Sequence, residues 1–310
     1  MTQALTATNR LAAVRSRLRL RRWRDRVIES LLLAAGLVAV FVTVAIVYVL
    51  VTESLPFFQQ VSLVDFFTDT MWTPMFDEPR FGILPLLAGT LVTTLVALCL
   101  AIPCGTIIAI YLSEFAPHRV REAVKPLLEL LGAVPTVVYG YFALSMVTPF
   151  LQKFIPGLPG FNMLSPGLVI GIMIIPYVAS VSEDAMRAVP NYMREGSYAM
   201  GATRFQTATR VVVPGALSGI AAGYILGISR AVGETMVVAV AAGLQPNLTW
   251  NPLESAATIT SFIVQVSLGD LPHGSIGYQS IFAAGLVLMV TTLLFNIGGF
   301  WLTRRFREVY

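Results

Sequence analysis

The chain has 310 residues, of which 56% are hydrophobic and 12% charged, and its formal net charge is +4. A soluble domain carries about 25% charged residues, so a single large water-soluble core is excluded. The charges sit in short stretches between long uncharged runs, which is the pattern of repeated membrane spans.

Residues 1–27 hold eight arginines and form a basic segment ahead of the first apolar run. That run, Leu31 to Val51, is longer than the apolar core of a signal peptide and is expected to be a retained first helix. The arginines fix topology and touch anionic lipid; no aromatic or fold-like pattern accompanies them, so a nucleic-acid role is not expected.

Six spans are expected in all, at 28–51, 85–112, 128–151, 165–186, 211–241 and 281–303. The second belongs to an uncharged run from Phe81 to Ser113, too long for one upright span, so tilt, a kink at Pro103 or an interfacial helix is expected there. Pro103, Pro135 and Pro176 are read as lying inside helices. Residues 254–268 are apolar but short, and fit an interfacial or partly inserted helix. By organisation, 28–84 is a first helix with an external loop, 85–303 a core membrane domain and 304–310 a tail.

Lysine and arginine set the orientation. With the N-terminus inside, the inside segments hold all but three of these residues; Arg80 and Lys153 lie outside and Arg230 within a span. Both termini, 113–126 and 187–210 are therefore expected on the cytoplasmic side.

Cys99 and Cys104 share one apolar run without acidic or histidine neighbours, and His118 and His273 lie in separate polar segments. Neither a disulfide nor a metal site is expected, and the cysteines are read as small buried apolar residues. No G-x-x-x-x-G-K-[ST] loop occurs, so any ATP used here is bound by another chain.

Two motifs carry chemistry. Between the fourth and fifth spans runs E-G-S-Y-A-M-G, Glu195 to Gly201, followed by V-V-V-P, Val211 to Pro214. An exposed amphipathic helix there suits insertion into a partner's groove, with Gly201 allowing a sharp turn or close approach and Glu195 supplying a charge at a helix end or interface. In the fifth span lies S-R-A-V-G-E-T-M-V-V, Ser229 to Val238. Arg230 and Glu234 are four apart and expected on one helix face. Two readings are open for the pair: a salt bridge that orders the bundle, or a polar group on an anion path.

The loop resembles the E-A-A-x3-G-x9-I-x-L-P signature of binding-protein-dependent type I ABC importer permeases. Glu195, Gly201 and Pro214 match in identity and spacing; Gly196 and Ser197 replace the two alanines, and Val211 and Val213 the apolar positions. R-A-x-G-E is similar to permeases for oxyanions. Its continuation G-E-T-M, with G-A-V-P-T-V-V-Y-G from Gly132 and F-G-I-L-P-L-L-A-G-T from Phe81, resembles the phosphate branch. S-L-P-F-F at Ser54 and W-T-P at Trp72 look like the C-type rather than the A-type subunit. The resemblance covers roughly 28–305. It implies an all-α, multi-pass inner-membrane permease that forms the path for inorganic phosphate and is itself no enzyme. It also implies an A-type permease partner, a homodimeric ATPase that binds ATP and Mg, and an external phosphate-binding protein. Sulfate, molybdate or tungstate as cargo, and a secondary transporter, are the alternatives.

Overall fold

The computed structural model describes residues 2–76, 78–272 and 274–305; His273 and the end of the expected tail, 306–310, lie outside them. The described residues are almost wholly helical, with one isolated bridge between Trp72 and Phe81 and no strand. Two compact units divide between Thr52 and Glu53. The first consists of most of α1 (Thr2–Gln60), which joins the basic segment to an apolar stretch long enough to cross a membrane. That stretch is apolar around its circumference, as a helix facing hydrocarbon must be.

The second unit begins with the last turns of α1 and contains α2 (Leu63–Thr68), α3 (Leu84–Phe115), α4 (His118–Ala133) and α5 (Thr136–Gln152). It continues with α6 (Leu164–Ala188), α7 (Asn191–Ala199), α8 (Arg204–Gly215), α9 (Leu217–Val232) and α10 (Met236–Ala241). The short α11 (Ile259–Gly269) and long α12 (Ile276–Arg305) complete it. With α1, helices α3, α6 and α12 are long and apolar enough to span.

The other two expected spans are broken. α4 and α5 meet at 87° and α8 and α9 at 73°. The span expected over 128–151 therefore bends at Val134–Pro135: Pro135 stands in extended backbone before α5 rather than inside a helix, because proline disfavours helical geometry in the residue before it. The charged α4 has its polar and apolar residues on opposite faces, unlike the apolar α5. The span expected over 211–241 is interrupted twice, at Ala216 and at Gly233–Thr235. Pro103 and Pro176 do lie within helices, α3 and α6. Of the short segment 254–268, the part from Ile259 is helical and its first turn is buried, started by a capping box between Thr258 and Ser261.

α3 and α6 pack along their length, with α9 against both, around Ala97, Ala101, Val169, Ile170, Met173 and Ile174. Small residues permit this approach: a Cβ on Gly171 would stand 2.9 Å from the Ala97 carbonyl oxygen. A second core gathers Phe57, Phe66, Trp72, Phe81 and Phe262 edge to face with centroids 5.0–6.3 Å apart. The cysteines are both free, but Cys99 is exposed and Cys104 half-buried. Neither is the buried core residue expected, because alanines and glycines occupy the inner face of α3.

Gly89 of α3 faces the Ala257 carbonyl, which an added Cβ would overlap, whereas Gly36 of α1 has no atom within 4 Å of that position. Gly89→Ala is expected to destabilise the protein by about 1–3 kcal/mol through overpacking, lowering its melting temperature in detergent. Gly36→Ala should leave that temperature unchanged or slightly raised.

Candidate functional site

α6 stops at Ala188, and Val189 and Pro190 continue in extended backbone to start α7. α7 carries Glu195, Gly196 and Ser197. It ends at Ala199, and Gly201 beyond its cap has a φ of +83°, in the left-handed region that glycine enters without strain. The Gly201 N–H donates to Tyr198 O at 2.9 Å and the Ala202 N–H to Ser197 O at 3.2 Å. No atom lies within 4 Å of a Cβ built at Gly201, so within this chain the turn, and not close packing, calls for glycine. Thr203 then caps α8 through a reciprocal box with Gln206. Ser197 Oγ and Thr207 Oγ1, 2.9 Å apart, join α7 to α8. Pro214 is exposed in the last turn of α8, beside the bend into α9.

α7 has two faces. Met193, Arg194 and Ser197 turn inward, whereas Tyr192, Glu195, Gly196 and Tyr198 are exposed, as are Met200 and Phe205 beyond it. All three exact matches to the loop signature are exposed, Glu195 and Gly201 beside an aromatic rim and Pro214 at the far end of α8.

Arg230 and Glu234 pair, with Nη1 3.3 Å from Oε2. The expected single helix face is not the reason. α9 ends at Val232, and Glu234 stands in the break before α10. Its Oε1 accepts from the Met236 and Val237 N–H groups at 3.2 and 3.4 Å, capping α10, and its own carbonyl accepts from Thr260 Oγ1 at 2.8 Å. The Glu234 side chain is 2% exposed and that of Arg230 37%. The carboxylate is therefore locked into the break, while the guanidinium, in the last turn of α9, keeps donors free of the bundle.

Sequence reasoning missed two further charged groups. Glu183, fully buried in α6, receives Lys125 Nζ of α4 on Oε2 at 2.7 Å; its Oε1 lies 3.6 Å from Arg187 Nη1 and has no hydrogen-bond partner. Lys125 also reaches Asp184 at 2.6 Å. Glu114, in the final π turn of α3, accepts from Arg194 Nη2 on Oε1 at 2.9 Å and from Nε on Oε2 at 3.3 Å. The only signal for these pairs in the sequence is that acids stand at the ends of two apolar runs; their partners are 58 and 80 residues away.

The family model of binding-protein-dependent transport system inner membrane components matches residues 101–308. The chain belongs to that family. The permease is 34% identical over 293 residues to the probable ABC transporter permease protein YqgH of Bacillus subtilis, covering 94% of each chain. It is 33% identical over 253 residues to the phosphate transport system permease protein PstC of Xylella fastidiosa, covering 75% of this chain and 76% of that one. Among solved structures, a bacterial ABC transporter involved in the import of the acidic polysaccharide alginate shares the fold. Its TM-score is 0.64 at 19% identity, over 93% of this chain and 100% of the other. The MetNI methionine ABC transporter in an inward-facing conformation gives 0.54 at 18% identity, over 73% and 95%. The architecture is that of a type I ABC importer permease, a multi-pass membrane subunit.

Removing the ammonium beside Glu183 leaves a buried carboxylate with one distant cation. Lys125→Met is expected to cost about 3 kcal/mol, read as lost thermal stability in detergent. Lys125→Met combined with Glu183→Met should be more stable than Lys125→Met alone, because the orphaned charge is then gone.

Proposed function

We infer that this permease is the C-type subunit of an importer for inorganic phosphate, paired in the membrane with an A-type permease. A homodimeric ATPase on the cytoplasmic side binds ATP and Mg and performs the hydrolysis, and an external binding protein delivers phosphate. The observation that carries the cargo assignment is the similarity to phosphate transport system permeases named PstC, at 32–33% identity over about three quarters of this chain. The R-A-x-G-E-T-M stretch of the motif agrees with it.

Both termini, 113–126 and 187–210 face the cytoplasm in this reading, following the distribution of lysine and arginine. The segment from Glu195 to Pro214 is then the contact for the ATPase. Its exposed Tyr198, Met200 and Phe205, with Tyr192 just before it on α7, suit a helix lying in a groove of a soluble partner. Gly201 fixes the turn that presents α7, and the Ser197–Thr207 contact makes α7 and α8 one lever.

Arg230 lies within the expected fifth span, in the last turn of α9. A guanidinium stays charged at working pH and its fork of donors matches phosphate oxygens. Glu234 holds one side of it, which limits how tightly an anion is gripped; an anion that must leave again requires such a limit. The buried Glu234 has a second task, since it caps α10.

The assembled four-part complex in proteoliposomes is expected to hydrolyse ATP faster, and to accumulate label, when the binding protein is loaded with phosphate, and not with sulfate, molybdate or tungstate. Stimulation by one of those anions instead would reassign the cargo; uptake without the ATPase would remove the importer reading altogether. Arg230→Gln is expected to reduce phosphate uptake at least tenfold, equivalent to about 1.4 kcal/mol, with the complex still assembled, and Arg230→Lys to recover part of it. Glu234→Gln should weaken assembly as well, because it removes charge from the cap. Parental uptake in Arg230→Gln would exclude a role on the anion path.

A further inference from the structure

Arg194 precedes the glutamate of the loop signature, yet the two residues do opposite things. Glu195 is exposed, whereas the Arg194 side chain is 14% exposed and turned into the bundle. There it makes four hydrogen bonds. Nη2 and Nε hold both oxygens of Glu114 at the end of α3, at 2.9 and 3.3 Å. Nη1 donates to Val189 O at 2.5 Å and Nη2 also to Met186 O at 2.8 Å, at the end of α6. Glu114 is itself 6% exposed and accepts from Ser113 Oγ at 2.8 Å.

The two helices so joined are the most extensively packed pair among the described residues. Apart from Arg194, α7 is tied to α6 by the two extended residues Val189 and Pro190, to α8 by Ser197, and by the packing of Met193 on the apolar cluster of Ala109, Met186 and Val212. An extended dipeptide swivels about its ψ angles, so a push on α7 through that link alone would turn the helix without moving the bundle. A planar guanidinium bonded to two helix ends resists that rotation. Its donors take the carbonyl of Val189, the residue that follows α6, and that of Met186, which also accepts the Val189 N–H at 3.3 Å, and it is bidentate on the carboxylate. Being nearly desolvated, these bonds are stronger than the same pair in water.

We propose that Arg194 is a positioning residue that transmits the displacement of α7 to α3 and α6, so that ATP-driven motion opens the membrane path. The proposal rests on the reading of α7 as the ATPase contact. It assigns Arg194 no contact with ATP, phosphate or the ATPase: the residue acts through Glu114 and the two carbonyls.

The test uses the complete complex in proteoliposomes and reads three quantities: ATPase subunit retained per permease, ATP hydrolysed, and labelled phosphate accumulated. Arg194→Gln and Glu114→Gln are each expected to retain the ATPase while phosphate moved per ATP falls about tenfold, the scale of a lost coupling contact. Arg194→Lys should fall between, since it keeps the charge and loses the fork. The double variant should be no worse than either single one, because both remove the same joint. A parental ratio in both single variants overturns the proposal, and so do losses that multiply in the double variant. Loss of the ATPase from Arg194→Gln, with a parental ratio in what remains, also overturns it and makes Arg194 a docking residue. Tyr192→Cys, on the outer face of α7, separates the premise from the proposal. Cross-linking to the ATPase together with a parental ratio removes only the role of Arg194. No cross-link removes the ATPase-contact reading and the proposal with it.

Discussion

A helix interrupted within an apolar bundle leaves N–H and C=O groups that water cannot reach, and each must find a partner inside the protein. The architecture of this permease follows from how its breaks meet that demand. At Gly233–Thr235 the carboxylate of Glu234 caps α10 and its carbonyl takes the Thr260 hydroxyl. At the start of α11, Thr258 and Ser261 cap each other's backbone, and Thr90 of α3 accepts the Ile259 N–H. At the end of α6, Arg194 takes the carbonyls of Met186 and Val189. Local side chains thus cap these ends, and Thr260, Thr90 and the Arg194–Glu114 pair tie each of them to a helix distant in sequence, which makes each one a junction as well as an interruption.

The same demand explains where the buried charges fall. Glu183, Glu234 and Glu114 are all acids at or near helix ends, and each has a cationic partner that is more exposed than itself. A long lysine or arginine can bury its stem and keep its head near water, whereas a short carboxylate sits wherever its backbone places it. The carboxylates are therefore the fixed members of these pairs and the cations the movable ones. This division lets a pair break on its cationic side without stranding the cation in hydrocarbon.

Much of this was legible in the sequence. Apolar length gave α1, α3, α6 and α12, because a span is long and its composition unmistakable. The loop motif was legible because three fixed positions fell in register between two spans, and the turn at Gly201 followed from its residue type. The breaks were not read. Hydrophobicity continues across Val134–Pro135 and across Gly233, so an apolar window sees one span where the backbone makes two segments. Pro135 and Gly233 were the available signals, since proline disfavours helix in the residue before it and glycine commonly ends a helix; treating membrane proline as ordinary kinking hid the first. Arg230 and Glu234 were correctly joined for the wrong reason: the spacing suggested a helix face, and the contact is made across a helix end. The Glu183 and Glu114 pairs were out of reach, because nothing local tells which lysine or arginine, dozens of residues away, will arrive beside them.

The aromatic cluster has a consequence for biogenesis. Phe57, Phe66, Trp72 and Phe81 come from the first third of the chain, but the ring that closes against Trp72 belongs to Phe262 of α11. During synthesis the early rings must wait, packed only on one another or sheltered by lipid or a chaperone, until nearly the whole polypeptide has left the ribosome. Closure of this cluster is therefore a late checkpoint for insertion. A chain truncated before α11 would retain most of its spans and still display an unfinished aromatic surface by which quality control could recognise it.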